Sequence, residues 1–293
     1  ELLYNRIPFS KILFMINLSL GVLSFLLLLH NSLQRNTLSP KAKTISRTAE
    51  TFFSVALYLA FIFHLAGYCL RWYIGGRIPL SNGYETMQFM ALCILLIACL
   101  LHRRFPFILP FGFLLSGFAL LVSYLGQMNP QITPLMPVLV SPWLSIHVSL
   151  IMMSYALLAF IMLNGILALC LRKKESENNV SGNDAIQDNR IEQLTLVSRL
   201  LLYPATFFLG AGIFLGAVWA NVSWGRYWAW DPKEVWALIT FLVYGVAFHS
   251  QSLRIFRKPL FFHIYMILAF LTVLMTYFGV NYVLGGMHSY ANA

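Results

Sequence analysis

Apolar residues run through this chain in long unbroken stretches separated by short polar connections. Eight stretches approach the roughly 20 residues a helix needs to cross a hydrocarbon core. They cover 11–30, 50–71, 86–102, 106–126, 145–171, 200–220, 234–252 and 260–284. The runs are continuous, without the alternation of β-barrel strands. The pattern predicts an all-α, polytopic integral membrane protein of about eight transmembrane helices, organised as one transmembrane domain over residues 1–293. The third run is short. The fifth and eighth are long enough to tilt or to protrude from the lipid.

Composition sharpens this picture. Only 10% of the residues are charged, against about 25% in a soluble domain. No Asp, Glu, Lys or Arg occurs from Phe105 to Leu171, or from Pro259 to the end. The first run lacks a small-residue cleavage site behind it and reads as a retained span. Fourteen of the twenty basic residues lie in the connections after runs one, three, five and seven. The positive-inside rule places those connections in the cytoplasm, so both termini and the connection 221–236 face outward. The net charge of +10 then reports topology and calls for no nucleic acid. The polar stretch ESENNVSGNDAIQDN falls within 173–193, which reads as a disordered cytoplasmic loop. The four cysteines form no CxxC pair, so neither a zinc site nor a disulfide framework is indicated.

One outward connection is unusual. Residues 224–236 read WGRYWAWDPKEVW, and five of the chain's seven tryptophans (Trp219, Trp224, Trp228, Trp230, Trp236) fall in or just before it. Its second half has a structural reading: Asp231 can cap the following helix, Pro232 suits the first turn, and Glu234 completes a capping box. The aromatics have two readings. They form an interfacial belt, or a flat platform for a planar conjugated ligand; the residues alone leave both open. Histidine adds to the second. His147 opens the fifth run and His288 follows the eighth, just past Gly285-Gly286. A lone interfacial histidine is usually a polar anchor. Two on the face that carries an aromatic platform suggest axial ligands to a haem iron. A helix N-terminus at His147 also favours the neutral imidazole that binds metal.

The segment WGRYWAWDPKEVWALITFLVYGVAFH resembles the tryptophan-rich "WWD" signature of the haem-handling proteins of cytochrome c maturation, most of all the CcsA family of system II. RWYIGGRIPLSNGYETM, SPWLSIHVSLIMMSYA and FGVNYVLGGMHSYA resemble further motifs of that family, in its order, over roughly residues 50–290. The resemblance implies that His147 and His288 are external haem ligands. It implies that Trp224, Tyr227, Trp228, Trp230, Asp231 and Trp236 belong to the haem platform. It also implies that His249, at the inner end of the seventh run, helps carry haem outward. The expected partner is CcsB, whose large extracytoplasmic domain is not visible in this sequence.

The expected function is a haem-binding subunit of a system II cytochrome c synthase, an enzyme as a complex with CcsB. Haem b is its ligand and substrate, and the CxxCH segment of apocytochrome c receives it by thioether formation. The site would face the periplasm or lumen, from a bacterial inner membrane or a thylakoid. Arg71, Arg77 and Arg226, cations on the outward face, are candidates to neutralise the haem propionates. Two other readings are a haem exporter or chaperone without ligase activity, and a b-type electron-transfer subunit. The second would want paired histidines within facing spans. His64, inside the second run, is a further candidate for binding, and His30, His102 and His263 read as interfacial.

Overall fold

The computed structural model describes residues 7–33, 40–126, 130–132, 139–171 and 182–286. They form eight α-helices and no strand among the described residues. In chain order these are α1 Phe9–Leu33, α2 Pro40–Gly75, α3 Gly83–Leu101, α4 Ile108–Leu125, α5 Pro142–Leu171, α6 Gly182–Trp224, α7 Pro232–Val246 and α8 Pro259–Leu274. A π-helical segment, Met275–Leu284, continues α8. Seven helices, all but α7, are long and apolar enough to cross a membrane.

Several elements differ from the sequence pattern, and α2 begins at Pro40, ten residues before its apolar run. The seventh run was expected to reach residue 252, but α7 ends at Val246 and the chain turns, with Leu253 N–H bonded to the His249 carbonyl at 2.7 Å. Gly245 and the hydroxyl- and amide-bearing Ser250, Gln251 and Ser252 lie here; such side chains compete for backbone groups and disfavour helix. The loop expected over 173–193 is helical from Gly182 onward, because α6 extends past the lipid-compatible stretch into polar sequence. Residues 173–181 of that loop lie outside the described residues. The eighth run changes from α- to π-helical winding at Met275.

The helices cluster into two compact units, residues 1–140 and 141–293. In the first, α1 and α4 pack through small residues. A Cβ on Gly21 would lie 2.9 Å from Leu114, and one on Gly117 would lie 2.8 Å from Leu18. Asn17 Nδ2 bonds Ser116 Oγ at 3.0 Å between them. Without a hydrophobic drive between helices in lipid, close approach and polar bridges are what hold such a seam. Leu57, Leu95, Ala98, Phe111 and Phe113 are buried beside it.

In the second unit α5 and α6 are antiparallel. His147 meets Gly216, Ile151 meets Gly212, Ser154 bonds the Ala205 carbonyl at 2.8 Å, and Asn164 bonds Ser198 at 3.2 Å. α8 closes the same core. There His263 corrects the interfacial expectation: it is fully buried. The Thr195 hydroxyl donates to the Ile191 carbonyl at 2.7 Å, so His263 Nε2–H donates to Thr195 Oγ1 at 2.9 Å. His102 is also buried, with Nδ1 donating to the Ala98 carbonyl at 3.0 Å. His30 is exposed, as an interfacial residue should be. His263→Ala should therefore destabilise the protein by about 1–3 kcal/mol, through a cavity and a lost buried hydrogen bond. Thermal unfolding in detergent checks this; an unchanged midpoint would contradict it.

Candidate functional site

The Trp-rich connection is a short bent strap between α6 and α7. Its first bend is Gly225, at φ 73°, where the left-handed region carries no Cβ penalty. Its second is Trp230, at φ 57°, the one non-glycine residue with positive φ among the described residues. A bulky residue there costs about 1–3 kcal/mol and persists only where its surroundings force it. The force comes from Glu234. Its Oε2 accepts N–H groups from both flanks of the bend, Ala229 at 2.8 Å and Asp231 at 3.2 Å. Asp231 in turn accepts from Lys233 N at 3.2 Å, so the capping box expected from D-P-K-E is formed. Glu234→Ala should release Trp230, lower stability by about 1–3 kcal/mol, and speed proteolytic cleavage within 224–236. Equal cleavage rates for the variant and the parent would refute this clamp.

The aromatics divide into two groups. Trp219 is buried inside the second unit and packs edge-on against Trp224, with ring centroids 4.8 Å apart. Trp228 and Trp230 stand perpendicular, 6.0 Å apart, and Trp230 is 74% exposed. Tyr227 and Arg226 are exposed, and Trp236 is half-buried in the first turns of α7. Trp219 thus belongs to the core, and the exposed aromatic surface is that of Tyr227 and Trp230, flanked by Trp224, Trp228 and Trp236.

His147 lies in the second turn of α5, against α6. Its Nδ1 is 2.6 Å from the Gly212 carbonyl oxygen. A carbonyl only accepts, so Nδ1 carries a proton, and in the neutral ring the lone pair is then on Nε2. That tautomer is the one in which a histidine ligates metal while its second nitrogen is oriented by a backbone carbonyl. Gly216 lies against the ring, and eight residues further on, about 12 Å along the helix, α6 ends at Trp224 and the strap begins.

The far end of the second unit's chain returns to the strap. Lys233 Nζ donates to Asn281 Oδ1 at 2.7 Å. A Cβ on Gly286 would lie 2.5 Å from Asp231 Oδ1, so the backbone there rests on the capping carboxylate. His288 lies outside the described residues; the chain two residues before it sits on Asp231. His249 is exposed in the turn after α7, not within a helix.

Arg71 and Arg77 belong to the first unit and share one acid. Arg71 is 3% exposed. It donates from Nε and Nη2 to Glu85 Oε1 at 3.1 and 2.9 Å, and to the carbonyls of Pro130 and Gln131 at 2.6 and 3.2 Å. Arg77 donates to Glu85 Oε2 at 2.9 Å and to Ser81. Glu85 was not singled out in the sequence, although it is the only acid between Glu50 and Glu175. The G-x-x-x-G spacing of Gly212 and Gly216, a known small-residue seam, was also passed over. His64 is buried, with Nε2 2.8 Å from the Gln88 carbonyl.

The model of the Cytochrome C assembly protein family matches residues 80–288. The chain is 37% identical over 291 residues to protein NrfI of Wolinella succinogenes, covering 99% of this chain and 31% of that protein. It is 36% identical over 230 residues to the cytochrome c biogenesis protein CcsA of Chlamydomonas reinhardtii, covering 75% of this chain and 63% of that protein. Identity to CcsA of Prochlorococcus marinus strain NATL1A is 32%, over 93% of each chain. The chain therefore spans about a third of NrfI and less than two thirds of the algal CcsA, but nearly all of the cyanobacterial one. By family model and by these relatives, the chain belongs to the CcsA family of cytochrome c assembly proteins.

Proposed function

We propose that this chain binds haem b at the Trp-rich end of its second unit and presents it for thioether attachment to the CxxCH segment of an apocytochrome c, acting with CcsB. The observation that carries the reading is the His147 imidazole, protonated on Nδ1 and held by the Gly212 carbonyl at 2.6 Å, on the helix pair that leads into the strap. His288 is the proposed second axial ligand. Trp224, Tyr227, Trp228, Trp230 and Trp236 supply aromatic surface against the porphyrin, and Asp231 fixes the strap. Arg226, exposed in that strap, is the favoured propionate partner. Arg77 comes next, since its side chain is 17% exposed. Arg71 comes last, its N–H groups being engaged by Glu85 and two carbonyls.

In this reading the chain's residues position and shield more than they transfer protons. Neutral imidazoles hold the iron, the aromatic strap excludes water from the ring edge, and two cysteine thiols of the apocytochrome add across the vinyl groups. Haem delivery from the cytoplasmic side through His249 is part of the proposal, as are a bacterial inner or thylakoid membrane and a site facing the periplasm or lumen. Both termini are placed outside; a reporter active only in the cytoplasm and fused after residue 293 should stay silent, and activity would reverse the orientation.

The deciding experiment expresses this chain with CcsB and a CxxCH reporter. Covalent haem on the reporter supports the synthase. Haem bound to the chain without thioether formation would favour the exporter reading instead.

A further inference from the structure

We propose that Gly216 and Gly212 are positioning residues for His147, forming a slot on α6 that fixes both the tautomer and the angle of its imidazole. The inference rests on His147 being a haem ligand and adds the residues that make it one. Gly212 does two things. Its carbonyl takes the Nδ1–H at 2.6 Å, and its missing side chain admits Ile151, one turn below His147, since a Cβ there would lie 2.6 Å from Ile151 Cδ1. Gly216 receives the ring itself. A Cβ at that position would lie 2.7 Å from His147 Cε1 and 2.8 Å from Nδ1, with Nε2 at 3.4 Å. Ordinary carbon contacts begin near 3.4 Å, so a single methyl would push the ring by several tenths of an ångström.

The ring cannot move that far without consequence. It is anchored by its own helix on one side and by a short hydrogen bond on the other. Displacement lengthens the bond to Gly212 or swings Nε2 off its direction, and either change weakens a metal bond. Groups that orient a ligating histidine typically contribute about 10–100-fold in affinity or activity. The seam thus explains why two glycines stand one turn apart in the helix that leads into the strap. A larger residue would meet Ile151 or the imidazole and misalign the ligand.

The test uses the complete chain with CcsB, purified with its haem. Gly216→Ala should accumulate, shift the haem from low-spin towards high-spin, and lower reporter maturation about 10–100-fold; added imidazole should restore the low-spin spectrum. Gly210→Ala is the control. It adds the same methyl to the same helix, where the Cβ would meet Phe241 at 3.0 Å and not His147, and it should keep the parent spectrum. The last arm repeats Gly216→Ala in a His147→Ala background, where the ring it would strike is gone and its effect should vanish. If Gly216→Ala fails to accumulate alone but accumulates in that background, the contact with the ring is the cause and the proposal stands. Failure in both backgrounds makes Gly216 a packing residue and overturns it, as does a parent-like spectrum in Gly216→Ala. If His147→Ala itself leaves the low-spin spectrum unaltered, the haem-ligand reading falls, whatever Gly216→Ala does.

Discussion

His147→Ala is expected to lose maturation of a CxxCH reporter by at least about tenfold and to leave any retained haem high-spin or carrying an adventitious ligand. The physical reason is the loss of a neutral nitrogen held in one tautomer by a backbone carbonyl. Iron with two imidazoles is low-spin, and removing one opens a coordination position. His288→Ala should behave alike. His30→Ala is the proper control, because His30 is exposed. His102 and His263 are poor controls, since both are buried and hydrogen-bonded. Optical and paramagnetic spectra of the purified variants decide the matter. A His147→Ala/His288→Ala double variant with unaltered low-spin haem would move the iron elsewhere, with His249 and His64 the next candidates, and would revive the electron-transfer reading.

Glu85→Ala is expected to be the most damaging substitution in the first unit, costing about 3–5 kcal/mol. It removes a carboxylate that faces two guanidinium groups, one of them almost wholly buried. Arg71 would keep its bonds to the carbonyls of Pro130 and Gln131 and lose the Glu85 carboxylate. Desolvated charge without a partner is far more costly than a missing pair. Glu85→Met combined with Arg71→Met should therefore recover part of the loss, because Arg77 is partly exposed and can turn to water. Thermal unfolding and the yield of folded protein in membranes measure both. If the double variant is no better than Glu85→Met alone, the cluster is not held by this pair.

The spans were legible because lipid demands long apolar runs, although α2 and α6 begin ten or more residues before theirs and α7 is too short to count as one. The cap of α7 was legible too, since D-P-K-E carries its mechanism in four letters. The fate of Arg71 and Arg77 was not. Read as isolated outward cations, they looked available to an external anion. Their partner lies 14 and 8 residues away, across the turn into α3, and only the scarcity of acids pointed to it. His263 was misplaced for a related reason. Its distance from Lys258 suggests an interface, whereas the rotation of α8 points it at Thr195. Rotation about a helix axis is poorly encoded when every face is apolar, because lipid-facing and core-facing positions then share one composition. The π-helical winding after Met275 has no sequence signal that distinguishes it from continued α-helix.

The left-handed backbone at Trp230 sets durability against surface chemistry. Glycine or asparagine would adopt that conformation with less strain, so selection for heat resistance alone would drift away from tryptophan there. A large ring at 74% exposure on strained backbone keeps an aromatic face at a cost in stability. Efforts to harden this protein by consensus or library screening should hold position 230 fixed and look for their gains in the α1–α4 seam. That seam belongs to the other compact unit, so changes there leave the strap's own residues untouched.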